Sequence, residues 1–215
     1  MAPMKNDSSE TDDLPEGAGQ VQQQRLGELF ARYRDRLRRM VRLRLDRRLQ
    51  GRVDASDVIQ EAFLEATMRF ADYVRDPSMP FFLWLRFITG QKLLVLHRRH
   101  LGVHARDAGR EVSLYRGALP EATSAALAAQ LVGRGTTPSQ AAVRAEMRVR
   151  VQEALNSMDP MDREVLALRH FEQLTNAEAA QVLEIQESAA SKRYIRAVKR
   201  LKEILASMPG GMEEW

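Results

Sequence analysis

From Gln22 to Gln50 apolar residues recur at Leu26, Leu29, Phe30, Tyr33, Leu37, Met40, Val41, Leu45 and Leu49. Steps of three and four predict a helix with one buried stripe. Gly51 suits its end, and its other side is dense in arginine, from Arg32 to Arg48. A second helix is predicted from Asp54, a good N-cap, with Asp57 at the third helical position, to about Tyr73. At 3.6 residues per turn, Val58, Ile59, Ala62, Phe63, Ala66, Phe70 and Tyr73 share one face. The opposite arc holds Asp57, Gln60, Glu61, Leu64, Glu65, Met68 and Asp72. A solvated face has no need of Leu64 and Met68 in its middle. An acidic arc with an apolar centre suits docking onto a basic partner surface.

Pro77 and Pro80 bracket a loop, Asp76 to Pro80. A third helix is predicted from about Phe81 to His100, opening on FFLWLRFI and ending on the basic HRRH. That end and the arginine-rich first helix suit phosphate contacts. Periodicity fades from Leu101 to Thr136, which reads as a linker with a short helix at Glu121 to Leu131. Thr137-Pro138-Ser139-Gln140 then opens a helix running to about Met158, and Asp159-Pro160-Met161-Asp162 opens another, carrying Val165, Leu166, Leu168 and Phe171.

The last third is the most specific. Thr175 followed by Glu178 makes a capping box before Ala179, Ala180, Val182 and Leu183. After a polar break at Glu184 to Glu187 a second helix begins. On its wheel Ala190, Tyr194, Ala197, Val198, Leu201 and Leu205 form the core side, and Lys192, Arg193, Arg196, Lys199 and Arg200 the opposite side. Lysine and arginine on a helix often mark only a solvated face. Here no acid occurs between Ser188 and Lys202 to lace that face with ion pairs. Two helices with a tight turn, the second cationic, predict a helix–turn–helix that sets its second helix in a DNA major groove.

Charge sharpens this picture. Residues 1–24 carry one lysine against five acids, so the rest of a chain of net charge +4 carries +8, which favours a polyanionic partner. The acidic, polar N-terminus reads as a disordered tail and is unlike a signal peptide. With no cysteine there is neither a disulfide framework nor a thiolate metal site. No apolar run reaches membrane-spanning length, so the expectation is a cytoplasmic protein. His97, His100 and His104 have helical spacing, but no cysteine or adjacent acid accompanies them, so they extend a basic helix end rather than hold a metal. No phosphate-binding glycine loop and no nucleophile–base constellation occurs, so no enzyme is predicted and no cofactor is implied. Scarce aromatics and the absence of β-branched runs predict an all-α fold of two small helical domains. The divisions are a tail at 1–24, a domain at 25–100, a linker at 101–137, a domain at 138–207 and a tail at 208–215.

These pieces in this order resemble a bacterial RNA polymerase sigma factor of the sigma-70 family, in its extracytoplasmic-function group. DASDVIQEAFLEA, Asp54 to Ala66, resembles the helix that docks on the polymerase clamp. FFLWLRFITGQKLLVLHRR, Phe81 to Arg99, is similar to the promoter-melting helix with its Trp84-Leu85 pair. ALNSMDPMDREVLALRHFEQLTNAEAAQVLEI resembles the lead into the −35-reading helix, and Arg196-Ala197 matches that helix's Arg-Ala pair. The resemblance implies a promoter-specificity factor. Core polymerase would bind through Asp57, Gln60, Glu61, Leu64 and Glu65. The −10 element, with a base flipped from the non-template strand, would meet Asp76, Ser78 and Met79 of the loop and Gln91, Lys92, His97, Arg98 and Arg99 of the third helix. The −35 element would meet Ser188, Ala189, Lys192, Arg193 and Arg196, with Lys199 and Arg200 on phosphates. An anti-sigma partner is implied as a regulator. The family has Asn and Asp in the melting helix where this chain has Gln91 and Val95, a Thr-Val pair where it has Ala189-Ala190, and glycine near Glu184. The competing reading is a stand-alone helix–turn–helix regulator whose N-terminal block is a sensor or dimerisation domain.

Overall fold

The computed structural model describes residues 19–46, 48–49, 51–101, 122–132 and 138–207, and among these all regular structure is helical. The chain divides into two compact units, the first carried by the three helices before residue 102 and the second by the helices after residue 123.

In the first unit, α1 spans Gly19–Arg44, α2 Ala55–Arg75 and α3 Phe81–Leu101. The predicted stripe of α1 is buried, from Leu26 to Val41. The helix starts inside the predicted tail, at Gly19, and stops at Arg44, six residues before Gln50. Asp46 explains the stop. Its carboxylate accepts the N–H of Arg48 at 2.8 Å, a local bond that competes with the helical ladder. Leu45 and Leu49 are still buried, so they kept the apolar period without keeping the helix. Gly51, at φ +96°, sits in the turn rather than at a helix end.

α2 begins as its sequence predicts. Asp54 caps it, and Asp54 and Asp57 form a reciprocal capping box. Its face of Val58, Ile59, Ala62, Ala66, Phe70 and Tyr73 is buried. Tyr73 and Trp84 stack at 4.6 Å between ring centroids, and Phe30 meets Phe63 edge-on at 4.8 Å. The Arg36 guanidinium lies 3.6 Å from the Phe82 ring centroid, so one arginine of the predicted polar face is spent on packing.

In the second unit, α4 spans Ser124–Val132, α5 Pro138–Asn156, α6 Pro160–Leu166, α7 Asn176–Leu183 and α8 Glu187–Ser207. α4 packs on α5, so this unit begins before residue 138 and takes in part of the predicted linker. Asp159 caps α6 with Pro160 in its first turn. α6 continues as a π-helical turn at Ala167–Phe171. α7 carries the predicted capping box: Thr175 Oγ1 accepts the N–H of Glu178 at 3.1 Å, and the Glu178 carboxylate accepts the N–H of Thr175 at 2.6 Å. Val151, Leu155, Met158, Leu166, Ala167, Phe171 and Ala197 form a buried cluster, with Tyr194, Leu201, Ile204 and Leu205 packed against it. The predicted tails and the inter-domain segment otherwise lie outside the described residues, as does His104.

Candidate nucleic-acid and partner interfaces

The turn between α7 and α8 is built by backbone geometry. Glu184 is left-handed, at φ +56°. Its N–H reaches the carbonyl of Gln181 at 3.3 Å, and the N–H of Ile185 reaches Ala180 at 3.0 Å. That pair of bonds is a Schellman ending, which turns the chain sharply and lets α8 start two residues later. α8 then buries Ala190 and Ala197 and exposes Ser188, Ala189, Lys192, Arg196, Lys199 and Arg200. Val198, predicted on the core side, is 41% exposed, and Ile195, which belongs to neither predicted side, is 62% exposed.

Arg193 departs from the free cationic face. Its guanidinium donates to Asp162 at 2.9 Å and lies 3.8 Å from Asp159, both at the start of α6. The absence of acids from Ser188 to Lys202 therefore did not leave the cationic face unlaced, because acids arrive from the start of α6 and from the last turns of α8. Lys199 and Arg200 lie 3.9 and 4.0 Å from Glu203, one turn on. Asp159, Asp162, Arg196, Lys199, Arg200 and Glu203 border an open cleft of about 480 Å³. Lys192 and Arg196 are exposed, while Arg193 serves as a tie between α8 and α6.

On α2, Asp57, Gln60 and Glu61 are exposed, and Leu64 and Met68 are 64% and 70% exposed, an apolar pair inside the acidic arc as the periodicity predicts. Glu65 is different. It is half-buried, lies 2.6 Å from Arg69 and accepts from Lys92 Nζ at 2.7 Å. The Lys92 ammonium holds the Glu65 carboxyl below its usual range. Two residues predicted for different sites, Glu65 for polymerase and Lys92 for DNA, are thus each other's partner across α2 and α3.

The −10 set is divided as well. Asp76 and Ser78 are exposed on the loop, Arg98 and Arg99 at the end of α3, and Gln91 is half-exposed. Met79 is buried at 8% exposure, and its carbonyl accepts from the Tyr73 hydroxyl at 2.9 Å, so its side chain is part of the core rather than of an open pocket. His97 is half-buried, with Nε2 accepting the Asp46 N–H at 3.4 Å, so it faces the α1–α2 turn rather than solvent phosphates. Burial lowers its pKa, and the adjacent Asp46 carboxyl is lowered to about 2 chiefly by its hydrogen bond from Arg48. Among the described residues no cluster of acids and histidines is arranged to hold a metal ion.

Residues 148–201, the core of the second unit, match the family "Sigma-70, region 4". Over 156 residues the chain is 31% identical to the ECF RNA polymerase sigma factor SigD of Mycobacterium tuberculosis and of Mycobacterium bovis. Over that stretch the chain is similar to ECF-group sigma factors, and its second unit carries the region 4 match. The matched stretch covers 72% of this chain and 65% of the length of those relatives. Two solved structures align with it. One is CnrH in complex with the cytosolic domain of CnrY, at 22% identity and TM-score 0.48, covering 94% of this chain and 96% of that one. The other is the sigma factor RpoE in complex with the anti-sigma factor NepR from Bartonella quintana, at 16% identity and TM-score 0.42, covering 86% and 97%. Among the described residues, no helix is long and apolar enough to cross a membrane.

Proposed function

We propose that this chain is a promoter-specificity subunit that binds core RNA polymerase, recognises −10 and −35 promoter elements and aids promoter melting. The single observation that carries the proposal is the helix–turn–helix of the region 4 match, whose α8 presents Lys192, Arg196 and Lys199 on its solvent side. α8 lies in the major groove at the −35 element, with Ser188 and Ala189 leading and Lys192 and Arg196 at base edges. Lys199 and Arg200 contact phosphates, which position without specifying. α2 docks on polymerase through Asp57, Gln60, Glu61 and Leu64, and Met68 extends the apolar centre. Arg98 and Arg99 at the end of α3, with Gln91 and the Asp76–Ser78 loop, meet the −10 strand. A regulatory partner of the anti-sigma kind would cover these surfaces when the factor is idle.

Glu61→Lys tests the polymerase surface, because Glu61 is exposed and its loss leaves the core of α2 intact. The expected result is loss of co-elution with core polymerase and an unchanged melting profile. Retained binding overturns the α2 assignment. A chain that binds promoter DNA but forms no polymerase complex at all is instead a stand-alone regulator.

A further inference from the structure

Ile195 stands at the middle of the outward side of α8 with 62% of its surface in water. At 100° per residue Ser188, Lys192, Ile195 and Lys199 fall on one outward stripe, at steps of four, three and four. Ala190 and Ala197 lie on the opposite, buried side. Isoleucine is among the residues most often buried, and here its neighbours one turn away include the exposed cations Lys192 and Lys199 and the part-exposed Val198. The cations fit a polyanion. Isoleucine does not: it has no hydrogen bond for a phosphate or for the polar edge of a base. The apolar group that a DNA major groove offers is the C5-methyl of thymine. Ile195 also lies in the first half of α8, about 12 Å from its start at 1.5 Å per residue, within the length that follows the groove floor.

We infer that Ile195 is a specificity-determining residue that reads a thymine methyl in the −35 element, with Lys192 and Lys199 holding the helix in the groove on either side. This inference rests on the proposed role of α8. It adds a large apolar contact beside the cations of that face.

The test uses holoenzyme assembled from core polymerase and the full chain, on a duplex carrying the −35 element of a start site that this holoenzyme uses. Each thymine of the element is replaced in turn by deoxyuridine, which removes only the methyl group. One such replacement is expected to weaken binding about fourfold, the worth of one buried methyl. Ile195→Ala is expected to weaken binding to the unmodified element at least as much and to abolish sensitivity to that same replacement. Because Ile195 is exposed, the variant is expected to melt like the parent protein. A flat deoxyuridine scan, or an Ile195→Ala holoenzyme with the parent's sensitivity, overturns the inference while leaving α8 as the DNA helix. Loss of core binding by Ile195→Ala would make the residue a protein contact and also overturn it. If Lys192→Ala leaves DNA affinity unchanged, the reading of α8 itself fails, which is a separate result.

Discussion

Glu184 is an acidic residue in a backbone conformation that suits glycine, and it sets the turn that aims α8. At φ +56° its Cβ crowds the neighbouring carbonyl, a cost of about 1–2 kcal/mol for an L-residue. Its side chain is exposed, so nothing packed is lost on removing it. Glycine relieves the strain but gives back about 0.5–1 kcal/mol through the extra freedom of the unfolded chain. Glu184→Gly is therefore expected to stabilise the second unit by about 0.5–1 kcal/mol, the middle of the roughly 0–1.5 kcal/mol left between those two effects. For a unit of this size that raises the melting temperature by roughly 2–8 °C. Calorimetry on the full chain reads the change, and Glu184→Gln separates strain from charge, since it removes the carboxylate next to the C-terminus of α7 but keeps the Cβ. An equal gain from Gln would refute the strain argument, and so would a Gly variant that melts at or below the parent temperature.

Thr175→Ala removes half of the capping box of α7 and is expected to lower the same transition by about 1 kcal/mol, with an unchanged melting profile refuting the cap's role. The Glu65–Lys92 pair is only partly exposed, and a double-mutant cycle with Glu65→Gln and Lys92→Met in urea is expected to give a coupling of about 1 kcal/mol or less; zero coupling would mean that the pair is not held in solution. His97 has a folded pKa lowered by burial, so the unfolded chain, at about 6.5, binds the proton first. Stability is then present above that value and declines as pH falls below it, and His97→Gln is expected to flatten the urea midpoint between pH 5 and 7. Asp46 acts lower on the scale: its contribution is present above the unfolded value of about 3.9 and is lost as pH falls toward about 2, so Asp46→Asn is expected to destabilise at pH 7 more than at pH 2.5.

Much of this molecule was legible wherever a local rule decided the outcome. Asp54 with Asp57, and Thr175 with Glu178, are short-range hydrogen-bond patterns, and both caps form. The buried face of α2 and the exposed Leu64 and Met68 follow from helical period alone. What local rules miss is a partner from elsewhere. Arg193 looked free because no acid shares its stretch of α8, yet Asp162 lies 31 residues upstream in sequence and 2.9 Å away in space. Lys92 and Glu65 were placed in separate sites because a helix wheel shows one helix at a time. Met79 looked like loop surface, but the Tyr73 hydroxyl bonds its carbonyl and the side chain packs inward. Leu45 and Leu49 kept a helical period because burial, not helix, is what the period reports. The exposed Ile195 shows the reverse: an apolar residue on the outward side of a wheel is informative even among cations.

The central claim is that this chain directs core polymerase to promoters. Transcription from genomic fragments by purified core polymerase, with and without the protein, tests it most directly. Discrete new start sites that need the protein, and that vanish with Glu61→Lys, are the predicted result. No new starts and no polymerase complex, with DNA binding intact, would contradict it.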